Sequence, residues 1–284
     1  MLKTQQSPTE SFLNEFHSTN PGVTSRSLGN LQVEYCGREF PSTYAILTNI
    51  IPQDNAPRFI LDLACGDGFL LSMLAERNDS KMTLHGVDMC ASELAIAAAR
   101  LTTRATLHHA NARSLPVPAD TYHFVLCHFA LMLMDEVEIV LKEVRRVLKS
   151  GGVFAAIVGG RPSQTPAFVA YIEALKRCAR LEQYSNVRFG DRRVRTCDGI
   201  QSLLATDFKQ IEIAEITRIR QLTPDELWAS FSDMYDLYLL AASDREIVKN
   251  EFLEAAAMHV DEDGKLEHVE TSRLVTAEAA TRNS

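Results

Sequence analysis

Between residues 58 and 160 short apolar runs alternate with segments whose apolar positions recur at helical spacing. Phe59 to Leu63, Thr83 to Val87, Ala105 to His109, Tyr122 to Cys127 and Val153 to Val158 read as strands. They are apolar nearly throughout instead of alternating, the pattern of strands buried on both faces. Between them lie helical patterns over Phe69 to Arg77, Ser92 to Leu101 and about Asp135 to Leu148. Ser92 is placed to cap the second of these. The third puts Val137, Val140, Leu141, Val144 and Leu148 on one face, and Lys149 to Gly152 is expected to end it. Strands interleaved with helices in this way predict an α/β fold, a doubly wound parallel sheet with right-handed crossovers.

The flanks read differently. Residues 1–34 are polar with one amphipathic piece, Glu10 to Phe16. Arg38 to Ile51 has apolar residues at helical spacing and is stopped by Pro52. This opening segment, Tyr35 and Arg38 included, is expected to pack over the mouth of the first strand. After residue 160 the pattern gives a helix over 165–181, a charged connection over 184–196, a short helix over 197–207 and an alternating strand over 209–216. Thr223-Pro224-Asp225-Glu226 is a capping box with proline at the first helical position, opening one long helix that reaches Leu239. A helix over 243–258 and a closing strand over 266–276 follow. The implied organisation is an N-terminal helical lid (1–56), a cofactor-binding core (57–160), a helical cap insertion (161–208), the last sheet strands with inserted cap helices 223–259 (209–276), and a disordered tail (277–284).

Composition narrows the class. The 284 residues are 46% hydrophobic and 23% charged, enough apolar material for a full core. A net charge of -8 leaves no nucleic-acid footprint and no attraction to an anionic membrane. Neither a membrane-length apolar stretch nor the apolar core of a signal peptide is present, so the expectation is a cytoplasmic monomer or homodimer. Six scattered cysteines without metal-type spacing fit reduced thiols, and Cys65, Cys90 and Cys127, each at a strand end, are expected to face one crevice. Arg188, Arg192, Arg193 and Arg195 form either a solvated loop or a phosphate site.

The chemistry concentrates at Phe59 to Gly68. A buried strand breaks into Ala64-Cys65-Gly66-Asp67-Gly68 and then a helix. Minimal side chains there let a ligand approach the backbone, and the helix start offers free N–H groups. The next strand ends on Asp88, 20 residues after Gly68, the separation at which a second-strand acid holds a ribose. Together they predict a nucleoside-type cofactor, with Asp88 in an open crevice.

These residues resemble the class I S-adenosylmethionine-dependent methyltransferases. The matching motifs are Leu61-Asp62-Leu63-Ala64-Cys65-Gly66-Asp67-Gly68, Val87-Asp88, Asn111-Ala112 with Leu115-Pro116, and Leu141 to Gly152. The resemblance implies a seven-stranded, mostly parallel Rossmann-like sheet with a helical cap. It implies S-adenosyl-L-methionine as cofactor and S-adenosyl-L-homocysteine as product, and is nearly silent about the substrate, which is read as a small-molecule acceptor. Asp62 would reach the methionine amino end, and backbone groups of Leu63, Ala64 and Gly66 would line the methionine part. Asp88 would accept both ribose hydroxyls, Met89 would pack on the adenine, Asn111 would accept from the adenine amino group and the Ala112 N–H would donate to the ring. Three positions depart from the family pattern. Ala64 stands where glycine is common and costs little if its φ is negative; Asn111 replaces a frequent aspartate; His123 stands where an acid is usual and reads as structural.

His128, at the end of the fourth strand, faces cofactor and substrate in such folds. It is the candidate general base if the acceptor carries a proton, or else a hydrogen-bonding residue of the pocket. His108 and His109 are weaker candidates. Trp228, Phe231, Tyr235 and Tyr238 share roughly one helix face and are either core or a substrate cage. The acceptor atom (oxygen, nitrogen or carbon) stays open, although the Asn/Asp-Pro-Pro-Tyr/Phe signature is absent after strand four and no metal-ligand cluster is evident. Two alternatives remain: a protein that binds the cofactor without methyl transfer, and a nicotinamide dehydrogenase, against which an acid two residues before the turn argues.

Overall fold

The computed structural model describes residues 6–77, 81–178 and 187–281. In chain order the elements are α1 (Pro8–Thr19), α2 (Val23–Leu28), β1 (Val33–Tyr35), β2 (Arg38–Phe40), α3 (Thr43–Ile50), β3 (Arg58–Leu63) and α4 (Phe69–Ala75). Then come β4 (Met82–Asp88), α5 (Ala91–Leu101), β5 (Thr106–His109), β6 (Tyr122–His128), α6 (Val137–Val147), β7 (Leu148–Gly159) and α7 (Pro166–Cys178). The chain continues through α8 (Cys197–Leu204), β8 (Phe208–Leu222), α9 (Pro224–Ser232), α10 (Tyr235–Tyr238), α11 (Ala242–Ala257) and β9 (Leu266–Ala279).

The strands form one sheet in the order β2-β1-β8-β9-β7-β6-β3-β4-β5. β3 pairs parallel with β4 and β6, β4 with β5, and β6 with β7, whereas β9 runs antiparallel to β7. The chain therefore builds outward from β3 on one side and then on the other, leaving a topological switch point beside its carboxyl end. Successive β3 residues feed opposite faces: Leu61 and Leu63 join one apolar cluster with the buried stripe of α6, and Ile60 joins another with α3 and α4. This is why the strand is apolar throughout.

The chain folds into two compact units. One comprises the described residues of Met1–Gly160, Phe189–Ile216 and Ser272–Ser284, and the other those of Arg161–Arg188 and Thr217–Thr271. The first carries the two sheet clusters. The second has its own core, in which Tyr171, Phe231, Phe252 and Leu227 are fully buried. Residues 189–208, expected in the cap, pack in the first unit, where Ile200 and Leu204 of α8 join the cluster of β3 and α6.

Several expectations need correction. The helix expected from Arg38 begins only at Thr43, because Val33–Phe40 folds as a hairpin around Cys36-Gly37, both at positive φ (51° and 69°). The hairpin makes the sheet nine-stranded, two more than the sequence implied. Cys90, not Ser92, occupies the N-cap of α5. β7 starts at Leu148, directly after α6, and Gly151 lies inside it at φ 74°. The long helix from Thr223 keeps its capping box but breaks after Ser232 and resumes as one turn at Tyr235. β9 runs to Ala279, into the segment expected to be a disordered tail, while the end of the helix expected to reach residue 181 lies outside the described residues.

Ala64 is also unlike its expectation: its φ is 57°, in the left-handed region. An L-residue there costs roughly 1–2 kcal/mol, partly offset because glycine loses more freedom on folding. Ala64→Gly should raise unfolding free energy by ~1 kcal/mol, read as a higher denaturant midpoint at unchanged slope. An unchanged or lower midpoint would show that Ala64 is not strained.

Candidate cofactor site

Asp62 is the penultimate residue of β3, at the switch point. Its carboxylate is 2% exposed, and Oδ2 has no hydrogen-bonding partner among the described residues. Burial, with Asp88 and Asp67 nearby, holds this carboxyl well above the usual carboxylate range. A buried, unpaired acceptor is costly, and it fits a site that awaits a cationic donor.

The chain then turns through Ala64, Gly66 and Gly68, all at positive φ. The two glycines differ in purpose. A methyl on Gly68 would press on Ala97 and Leu101 of α5 at 2.9–3.0 Å, so Gly68 serves helix packing. A methyl on Gly66 would meet only Glu93 Oε2, at 4.0 Å, leaving open space beside this half-buried stretch of backbone. Leu63 is buried in the core and supplies backbone only, while Ala64 and Met89 are half-buried.

Asp88 ends β4. It does not stand in an open crevice: it is 9% exposed, and its two oxygens accept from the N–H groups of Gly66 and Cys90, each at 2.8 Å. Burial raises its pKa against the lowering effect of those two amides. Each oxygen keeps a further lone pair, so acceptance from ribose hydroxyls is compatible with both bonds.

The N-terminal helices are tied to this rim by buried polar groups. Glu93 of α5, 3% exposed, accepts from Gly22 N–H at 3.0 Å and pairs with His17 at 2.8 Å. Asp67 accepts from Ser25 Oγ at 2.5 Å and pairs with Arg100 at 2.8 Å. Glu10 pairs with Arg113 at 2.7 Å and accepts from Asn111 Nδ2 at 2.6 Å. α1 starts at a Ser7-Pro8-Thr9-Glu10 capping box, a local signal that extends the helix ahead of the piece expected from Glu10. Glu93 gave no signal, since its role appears only once Gly22 is beside it.

Asn111 is already committed. Its Oδ1 accepts from Arg113 N–H at 2.9 Å and Nε at 3.3 Å, which uses both lone pairs expected for an adenine amino group. Ala112 beside it is half-buried. His109 Nε2 lies 2.9 Å from the Met89 carbonyl, and His108 faces His85 at 3.3 Å. His123 is structural: its Nδ1 accepts from Phe59 N–H at 3.0 Å.

His128 does not have the character of a general base. It is 7% exposed, stacks on Tyr44 with ring centroids 3.4 Å apart, and its Nε2 lies 2.8 Å from Thr43 Oγ1. Burial pushes its pKa down to about 3, so the ring is neutral at working pH. Nδ1 is buried without a partner among the described residues. Thr43 and Tyr44, from the segment misread as the middle of a longer helix, are the neighbours that decide this.

The aromatic residues proposed for a substrate cage lie in the second unit. Phe231 is fully buried against Tyr171, with centroids 4.6 Å apart, and Trp228 packs on Phe252 at 5.7 Å. Tyr235 and Tyr238 sit on α10, past the helix break, so the four do not share one helix face. The cysteines also separate: Cys65 and Cys127 belong to opposite clusters, and Cys90 lies near Ser18 under α1. Of the basic run, Arg193 is paired with Asp191 and Glu138 in the manner of a solvated loop.

Residues 60–152 match the family described as methyltransferase domain. A demethylmenaquinone methyltransferase of Anoxybacillus flavithermus is 32% identical over 107 residues, 36% of this chain and 45% of that protein. The chain thus spans less than half the length of that curated relative. Among solved structures, phosphoethanolamine N-methyltransferase 2 of Haemonchus contortus superposes with a TM-score of 0.58 at 16% identity, covering 97% of this chain and 61% of the other. The [4+2]-cyclase SpnF superposes at 0.54 and 15%, covering 97% of each chain. These likenesses establish a Rossmann-like methyltransferase fold, one that supports more than one chemistry.

Proposed function

Since this chain carries a methyltransferase domain of the class I, S-adenosylmethionine-dependent family, we propose that the protein transfers the cofactor's methyl group to a small-molecule acceptor. The observation that carries this reading is Asp62, a buried carboxylate at the switch point of the sheet whose Oδ2 has no partner among the described residues. The residues present fit the cofactor. Asp62 takes its ammonium end, the Leu63–Gly66 backbone takes the methionyl chain, Asp88 takes the ribose, and Met89 with the Ala112 N–H takes the adenine. Asn111, its oxygen used by Arg113, acts instead by holding Glu10 and hence α1. When bound, S-adenosylmethionine supplies an electrophilic methyl on a sulfonium.

The chain's own contribution is alignment and exclusion of water. Asp62 and His128, 2% and 7% exposed, line a rim that α1 and α2 close through Glu93, Asp67 and Glu10. His128, neutral and held by Thr43 and Tyr44, positions its neighbours and removes no proton.

Calorimetry should give binding of S-adenosylmethionine and S-adenosylhomocysteine and no response to NAD, and S-adenosylhomocysteine should accumulate only when an acceptor pool is added. Binding of NAD alone would overturn the reading. Cofactor binding without product in any acceptor pool would favour a non-methylating catalyst.

His128→Asn should retain most of the rate, and the wild-type rate should show no limb near pH 6.5. A wild-type limb there that vanishes in the variant would restore the base. Stability gives a second readout. The folded pKa of about 3 lies below the ordinary 6.5, so between those values the unfolded chain binds a proton that the folded protein does not. Stability then falls as pH drops, by up to about 1.4 kcal/mol per pH unit, and the variant's slope should be shallower by that amount.

A further inference from the structure

The second unit holds a charged cluster that the cofactor site does not use. Arg218 and Arg220, two residues apart on β8 and so on one face of it, both reach Glu270 on β9. The Arg220–Glu270 distance is 2.8 Å, and the side chains of Arg218, Arg220 and Glu270 are 14%, 19% and 26% exposed. His268, 1% exposed, lies beneath, with Nε2 3.4 Å from Glu270 Oε1 and Nδ1 3.4 Å from Thr165 Oγ1. One neutral tautomer satisfies both contacts, donating to the carboxylate and accepting from the hydroxyl. Burial and the two guanidiniums keep that ring neutral, with a pKa of about 4. The cluster sets two guanidiniums against the Glu270 carboxylate, with the exposed capping residue Glu226 also acting on Arg220, on a largely buried face beside Phe168 and Phe231.

Two guanidiniums sharing one carboxylate leave donors in excess of acceptors, which is costly away from water, and a purely structural ion pair would not need the second arginine. The donor count points the same way. Arg220 also contacts Ser230 Oγ at 3.3 Å, yet its Nε is buried without a partner among the described residues. Two planar guanidiniums side by side match a carboxylate or phosphate through paired N–H donors. Glu270, the most exposed of the three, occupies the place such a group would take.

We propose that Arg218 and Arg220 form a recognition site for an anionic group, carboxylate or phosphate, with Glu270 as its internal competitor. The anion site stands independently of the transfer reading above.

The test is calorimetric titration of the full chain, without cofactor, with inorganic phosphate and separately with acetate. Saturable binding of at least one is expected, and the stronger of the two identifies the headgroup chemistry. Arg220→Gln should weaken it at least tenfold, and Glu270→Gln should tighten it several-fold by removing the competing carboxylate. A structural triad predicts the opposite for Glu270→Gln, a loss of melting temperature with no gain in anion affinity. If neither anion saturates in the wild type or in Glu270→Gln, the proposal is overturned, whatever becomes of the Arg220 variant's folding. Failure of the transfer reading would appear separately, as absence of S-adenosylhomocysteine formation in a protein that still binds the anion.

Discussion

Asp62→Asn is expected to make the protein more stable and a poorer binder of S-adenosylmethionine. The carboxylate is buried, Oδ2 is unpaired among the described residues, and Asp88 and Asp67 disfavour its charge. An amide removes that charge and its repulsion while keeping the shape, and the gain should be roughly 1–2 kcal/mol, about the worth of a one-unit pKa shift. Affinity should fall in the same variant, because a charge-assisted bond to an ammonium group is worth about 1.5–3 kcal/mol, or roughly 10- to 150-fold. Denaturant unfolding and calorimetry on one preparation read both effects. A variant that lost stability would mean the carboxylate is paired in solution, and unchanged cofactor affinity would remove Asp62 from the site.

Asp88→Ala should behave in the opposite way, losing stability and affinity together. The carboxylate accepts from the Gly66 and Cys90 amides, and alanine leaves two buried donors unpaired at about 1–3 kcal/mol each. The melting temperature should drop by several degrees. Loss of the ribose contacts should weaken cofactor binding by a further ~2–4 kcal/mol. Asp88→Asn separates the two roles: an amide oxygen can keep one backbone bond, so it should recover part of the stability and little of the affinity. Full thermal stability of Asp88→Ala would show that the two amides find other acceptors.

The contrast between these two aspartates shows where sequence reading stops. Both stand at strand ends in a recognisable spacing, and the sequence identifies both as acids of the cradle. Only the folded chain separates them, because Gly66 and Cys90 turn their N–H groups toward Asp88, whereas no described donor reaches Asp62 Oδ2. Ala64 is a similar case: its identity is evident, but its left-handed φ follows from the turn closing between β3 and α4.

The parallel core was legible because its period and apolar runs are local properties of the chain, set by burial on both sheet faces. The capping box at Thr223 was legible for the same reason, since its partners are three residues apart. What required tertiary structure was every feature whose partner is distant in sequence. His128 is neutral because Tyr44 and Thr43, more than eighty residues earlier, cover it. Asn111 is tied through its amide to Glu10, far earlier in the chain. The hairpin over Val33–Phe40 escaped notice because Phe40, Tyr44 and Leu47 mimic a helical stripe, whereas Gly37 and Cys36 at positive φ bend the chain back before it can form. Spacing fixed which residues bear chemistry; packing of remote segments decided which of them are free to use it.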